Sequence, residues 1–357
     1  MSGKDLVVGI HPEGAESFTA RWESALRTRG VAVKLLDLLG EDPLGQVVGC
    51  DGVMWHWAQY PHERRMLALP LLRVIETHLR IPVFPDMATC WHFDDKIAQS
   101  YLLKALGIPA PKTWVFWRRA DALAWCETAA YPVVAKLAVG AGSTNVALVR
   151  DVAAARSYVE RCFSGSGILV RPPLPRGGIP RLLAQFKRTA KRAAQAVPYV
   201  LANHFPSMPD RTYWMPQKNY ALFQEFMPGN NFDTRVTVVG NRAFAYRRFN
   251  RPNDFRASGS GNFDVDPSAI DRRCIRDAFE SSRKLGSQSM AYDWLFRADG
   301  SGPVTGEISY GYVDWMIEKC PGHWDSDLNW HEGRLWPEEA HVDDFLKRIR
   351  QGAGRAP

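Results

Sequence analysis

Asp293 and Glu307 flank an Asp299-Gly300 pair in the segment MAYDWLFRADGSGPVTGEIS. Asp-Gly between two β-rich runs signals a hairpin, and opposed residues of an antiparallel hairpin share a constant index sum. A turn centred on Gly300 therefore predicts Asp293 opposite Glu307 on one face, with Ser309 two residues further along. Close carboxylates repel each other unless a cation or proton intervenes, and oxygen ligands beside phosphates suit magnesium or manganese. A solvated acidic face is the competing reading. Upstream, YPVVAKLAVGAGSTNV carries a strand into Lys136 and then into a loop with Gly140 and Gly142. Such an element binds phosphate, because glycines let backbone N–H groups approach an anion and lysine supplies the charge. Its spacing is neither that of the Walker loop nor that of the dinucleotide fingerprint. Strand, lysine and Gly-rich turn also recur in surface hairpins.

The segment ALFQEFMPGNNFDTRVTVVGNRAFAYRRF reads as strands around a loop at Pro228-Gly229 and a turn at Gly240-Asn241. Over Gln224 to Met227 a strand edge can offer backbone N–H and C=O groups to a flat heterocycle. Asp233 and Arg235, two apart, share a strand face. A carboxylate suits ribose hydroxyls and a guanidinium suits phosphate or carboxylate, although each could equally be a surface ion pair. Lys96 opens a helix in FDDKIAQSYLLKALGIPAPKTW, which Asp94 or Asp95 caps and Gly107 ends. The helix dipole disfavours lysine in a first turn unless an anion sits nearby.

The elements that must position these residues follow from pattern. With 357 residues and 46% hydrophobic content, the chain should form two or three cooperating globular lobes. Its first 85 residues alternate strand and helix, which implies a mostly parallel sheet with ligands at the strand C-termini. His56 sits at such an end, as a substrate contact or a packing residue. No apolar run approaches a bilayer span or a signal peptide, so a cytoplasmic protein is expected. Six scattered cysteines fit core thiols in a reducing compartment. The net charge of +7 is local: residues 161 to 209 hold eight Lys or Arg and no acid. One basic segment on a neutral body suggests a specific anionic ligand or a membrane surface, not nucleic acid. Within it, Lys187, Arg188, Lys191 and Arg192 lie across a helix from Leu182, Leu183 and Phe186, so 181–192 reads either as a peripheral membrane contact or as a solvated helix. His323 and His331, without cysteines or clustered acids, read as packing and surface residues instead of a metal site. A last helix from about Pro337 to Arg350 should dock on the body or on a second subunit, as in a homodimer.

In this order the pieces resemble the ATP-grasp superfamily over roughly residues 1–312, with likeness to glutathione synthetase and to the ligases that add glutamate to a ribosomal protein. The resemblance implies an α/β fold of α+β lobes. These would be a Rossmann-like pre-grasp domain at 1–88, a linker with the first ATP-grasp helices at 89–126, and an ATP lid lobe at 127–222 with a basic insertion at about 164–220. A C-terminal ATP-grasp lobe with the metal site would occupy 223–320, and a helical tail 321–357. It further implies that Lys96 and Lys136 contact ATP phosphates while the loop of Gly140, Gly142 and Ser143 closes over them. Gln224, Glu225 and Met227 would form the adenine hinge and Asp233 would take the ribose. Arg235, Arg247 and Arg256 would grip an acyl phosphate, and Asp293, Glu307 and Ser309 would hold Mg2+ or Mn2+. Two residues depart from the family pattern, Ser309 and Ser258, each where asparagine is usual. The activity implied is an ADP-forming carboxylate–amine ligase, and the basic segment adds the expectation of small-molecule or sugar-linked anionic substrates, as in bacterial surface polysaccharide metabolism. A kinase using the same cleft and an ATP-binding protein with degraded chemistry are the alternatives.

Overall fold

The computed structural model describes residues 6–14, 17–57, 62–140, 142, 145–170, 216–251, 254–258 and 260–353. The chain divides into two compact units. The first comprises Met1–Gln59, Glu63–Lys112 and Met227–Pro357, and the second comprises Tyr60–His62 and Thr113–Phe226.

The first unit begins with β1 (Val7–Ile10), α1 (Thr19–Thr28), β2 (Ala32–Leu35), α2 (Pro43–Gln46), β3 (Gly52–Met54), α3 (His62–Thr77) and β4 (Val83–Phe84). The strands pair in parallel in the order β2-β1-β3-β4, the Rossmann-like arrangement that the alternation predicts. At the end of β3, His56 is buried, stacked on Phe18 at 3.8 Å, and accepts a hydrogen bond from the Phe18 amide at 3.3 Å. Burial lowers its pKa to about 3, so it is a neutral packing residue. Two helices follow, α4 (Met87–Cys90) and α5 (Lys96–Ala105).

The second unit contains β5 (Thr113–Phe116), α6 (Arg119–Thr128), β6 (Val133–Lys136), β7 (Val146–Val149), α7 (Val152–Cys162), β8 (Ile168–Leu169), β9 (Pro216–Gln217) and β10 (Ala221–Glu225). Its antiparallel sheet runs β5-β10-β6-β7. Ala122 and Cys126 of α6 and Ala155 and Val159 of α7 share a core with Val133, Ala135 and Phe223 of the sheet. The basic helix expected at 181–192 lies outside the described residues.

The chain then completes the first unit with β11 (Phe232–Val239), β12 (Arg242–Phe249), β13 (Phe263–Asp264), α8 (Arg272–Leu285), β14 (Ser289–Phe296), β15 (Pro303–Ser309), α9 (Asp314–Glu318), β16 (Gly322–Trp324), β17 (Trp330–Glu332) and α10 (Pro337–Ala353). The second sheet of this unit runs β15-β14-β11-β12-β16-β17, with β13 added on β12. Ile275, Ala278 and Phe279 of α8 pack with Val236, Val238, Ala245, Tyr292 and Trp294. Strand alternation sends Asp233, Arg235 and Asp293 to the opposite face. The last helix docks on its own body: Trp22 donates to His341 Nδ1 at 3.2 Å, and Arg29 donates to Asp343 at 2.7 Å. Gly52 permits this approach, since a Cβ there would lie 2.6 Å from Ile349 and 2.8 Å from Phe345. All six cysteines are buried and unpaired. Among the described residues no helix is long and apolar enough to cross a membrane.

Candidate active site

One cross-strand row of the first unit brings several of the candidate residues together. Glu307 faces Asp293 and Asp293 faces Arg235, which in turn faces Tyr246, across β15, β14, β11 and β12. The opposition of Asp293 and Glu307 is the one that the hairpin index sum predicts. A register shift between Asp293 and Trp294 lies between the pair and the turn: Trp294 faces Thr305, so the ladder beside the turn has an index sum one lower, and the shift brings Asp293 opposite Glu307. Ser309, opposite Ala291, lies one step along the same face, and its hydroxyl donates to Gly311 O at 2.8 Å.

Two guanidinium groups hold Asp293. Arg235 donates from Nε to Asp293 Oδ1 at 2.6 Å and from Nη2 to Oδ2 at 2.8 Å. Arg248 lies 2.7 Å from Asp293 Oδ2 and chelates Asp233 at 2.7 and 2.6 Å. Burial would raise the Asp293 pKa, but Arg235 and Arg248 outweigh it and hold the carboxyl well below the usual range. For Asp233, burial prevails over Arg248 and the pKa is raised. The Tyr246 hydroxyl is buried and has no hydrogen-bond partner among the described residues.

Helix α5 brings Lys96 to this face. Asp95 caps it by accepting from Ala98 N at 3.0 Å, and Asp94, at φ 50°, adopts a left-handed conformation that aspartate tolerates better than most residues. Gln99, one turn on, donates to Ile308 O at 2.9 Å and to His92 O at 3.2 Å, tying the helix to β15. Lys96 Nζ then reaches Glu307 at 3.3 Å and Asp94 at 3.9 Å. Burial works against its charge, but these carboxylates outweigh it and raise the lysine pKa. The anion that the first-turn position of Lys96 demands is therefore Glu307, with Asp94 beside it.

Several expected contacts look different in place. Asp233 has both oxygens on Arg248, so a buried charge-balanced pair replaces the expected open ribose ligand. Arg247 lies on the other face of β12 from Arg248 and pairs with Asp264, and Arg256 chelates Asp254 at 2.6 to 2.9 Å. Arg248 is the functional candidate that the sequence reading passed over. A ladder centred midway between Gly240 and Asn241 places Arg248 opposite Asp233, which is the observed register.

In the second unit, Lys136 ends β6 opposite Leu222 and Val146, and Tyr158 Oη donates to its carbonyl at 2.6 Å. Gly140 and Gly142 have φ of 115° and 64°, conformations that favour glycine, while Ser143 lies outside the described residues. Strand β10 is central: Gln224 pairs with Thr113 on one side and with Val134 on the other, so it offers no strand edge. Glu225 pairs with Val133. Met227 opens the returning segment of the first unit and is buried. Near the C-terminus, His323 and His331 stack at 5.2 Å and His331 bonds to Asp325 at 2.9 Å. Among the described residues no cluster of three or more His, Cys, Asp or Glu could hold a metal.

No protein-family profile matches the chain. Solved structures match nearly all of it. An ATP-grasp RimK domain protein from Sphaerobacter thermophilus is 16% identical and covers 96% of this chain and 100% of its own, with a TM-score of 0.52. The ATP-grasp ligase PsnB, solved with a minimal precursor, Mg and ADP, is 13% identical over 97% and 98% of the two chains, with a TM-score of 0.54. D-alanine–D-alanine ligase from Bacillus anthracis, solved with ATP, is 11% identical over 98% and 99%, with a TM-score of 0.55. The chain therefore has the ATP-grasp fold, as its resemblance implies. Among curated proteins, the α-aminoadipate–LysW ligase LysX of Saccharolobus solfataricus is 32% identical over 79 residues. That stretch covers 22% of this chain and only 29% of the relative.

Proposed function

We propose that the protein is an ATP-dependent ligase that joins a carboxylic acid to an amine or related nucleophile through an acyl phosphate, releasing ADP. The observation that carries this reading is the row Glu307–Asp293–Arg235 with Lys96 on Glu307 and Arg248 on Asp293: paired acids and several cations on one sheet face of an ATP-grasp fold. Asp293 and Glu307 fit a hard divalent cation, since they are opposed carboxylates from neighbouring strands. Such an ion, Mg2+ or Mn2+, would neutralise the ATP phosphates and polarise the transferred phosphoryl group. PsnB and D-alanine–D-alanine ligase, solved with Mg and ADP and with ATP, support the same ligands here.

In this scheme a substrate carboxylate oxygen attacks the γ-phosphorus in line, the bond to the β,γ-bridging oxygen breaks, and ADP leaves. The amine then attacks the acyl carbon, phosphate departs, and the amine loses a proton. The chain's own groups act by position and charge: Lys96 and Lys136 on phosphates, Arg235 and Arg248 on the acyl phosphate. Gly140 and Gly142 keep the backbone beside Lys136 open to an anion. The basic stretch at 171–192 favours an anionic or sugar-linked acceptor, such as one found in bacterial surface polysaccharide metabolism.

A grid of acids and amines, read for ADP and free phosphate, tests the reading. Phosphate release that needs both an acid and an amine is expected. A stable phosphorylated product formed without amine would instead identify a kinase.

A further inference from the structure

The acids of the charged row come with cations already in place. Asp293 has both oxygens on guanidinium groups, Asp233 is chelated by Arg248, and Glu307 has Lys96 at 3.3 Å. The two arginines are not equivalent. Arg248 is anchored by its paired bonds to Asp233 and adds a single 2.7 Å contact to Asp293, whereas Arg235 spends both Nε and Nη2 on Asp293. Arg235 thus takes one lone pair on each Asp293 oxygen, and its positive charge competes with a divalent cation for the same carboxylate. Conversely, Arg235 cannot aim that fork at an acyl phosphate while it is closed on Asp293.

We propose that Arg235 is an exchangeable counter-ion: it holds Asp293 in the metal-free protein, and arrival of a divalent cation at Asp293 and Glu307 hands its guanidinium to the anionic substrate, while Asp233 keeps Arg248 fixed. This rests on the proposed reading of Asp293 and Glu307 as cation ligands. The exchange makes cation and anion binding mutually reinforcing. The cation alone must break a bidentate charge-assisted pair, and the released guanidinium then gains a partner only when an anion is present. Asp233 is in this view a positioning residue that retains one guanidinium at the site in both states.

The test measures Mn2+ binding to the full chain by electron paramagnetic resonance, without nucleotide, so that no turnover is involved. Arg235→Gln should bind Mn2+ roughly tenfold more tightly than the wild type, because a competitor for Asp293 is gone. Adding Asp293→Asn should remove that gain. Should Arg235→Gln fail to fold by circular dichroism, Arg235→Lys gives the same readout, with a smaller gain in the same direction from its lost bidentate grip. Unchanged or weaker Mn2+ binding in the folded arginine variant, with binding still lost in Asp293→Asn, overturns the exchange and leaves the cation-site reading standing. Wild-type Mn2+ binding that survives both Asp293→Asn and Glu307→Gln overturns the two together.

Discussion

Asp293 meets three neighbours, and each gives it a different chemistry: Glu307 makes it half of an acid pair, Arg235 neutralises it, and Arg248 links it to Asp233. Removing one member of a buried ion network leaves an uncompensated charge. Asp233→Asn should therefore cost about 3–5 kcal/mol in urea denaturation. A ribose ligand would instead raise the KM for ATP and leave stability unchanged. Glu307→Gln keeps the shape of the side chain but removes a proposed cation ligand, so turnover should fall by about 100-fold or more, equivalent to roughly 2.7 kcal/mol of transition-state stabilisation. Only part of this was legible residue by residue. The opposition of Asp293 and Glu307 was expected from arithmetic about one turn, and it holds through the register shift between Asp293 and Trp294. The partner of Asp233 was open to the same arithmetic, but the Arg247-Arg248 doublet hides which guanidinium faces inward until the register about Gly240-Asn241 is drawn. Arg235 meets Asp293 only because β11 pairs with β14, a non-local pairing that no short stretch encodes.

At the scale of elements, hairpins and capped helices were readable and sheet neighbours were not. The β14–β15 and β11–β12 hairpins carry Asp299-Gly300 and Gly240-Asn241 at their turns, and α5 has its Asp95 cap. Strand β10 looked like an edge, yet its partners β5 and β6 come from much earlier in the chain and enclose Gln224 from both sides. Helix α5 reaches β15 through Gln99. Gln99→Ala removes the bonds to Ile308 O and His92 O, and should lower stability by about 1–3 kcal/mol and turnover further by loosening Lys96. Helix α10 carries a pH signal. Glu338 is wholly buried, and burial, with Asp314 adding repulsion, pushes its carboxyl up to about 8. The native state thus holds a proton that the unfolded chain releases near pH 4.5. Stability must fall as pH rises from there to about 8. Glu338→Gln should raise stability by about 3 kcal/mol at pH 7 and by little at pH 4.5, as thermal melts at both values will show.

At the scale of the whole molecule, a unit with its own core interrupts a unit assembled from separate stretches of chain. Lys136, the proposed phosphate ligand, belongs to the interrupting unit and the acid row to the other. The basic stretch falls within the interrupting unit's part of the sequence. Replacing Lys187, Arg188, Lys191 and Arg192 by alanine should raise acceptor KM about tenfold with ATP affinity nearly unchanged, since a cluster of surface charges acts on the anion it attracts. Equal kinetics in both proteins would remove that assignment. The activity itself is tested most directly by oxygen transfer. A pool of carboxylic acids labelled with oxygen-18 in the carboxylate is supplied with ATP, Mg2+ and an amine mixture, and the released phosphate is analysed by mass spectrometry. An acyl phosphate requires one labelled oxygen in the phosphate, with ADP as the other product. ADP with unlabelled phosphate, or AMP with pyrophosphate, would contradict it.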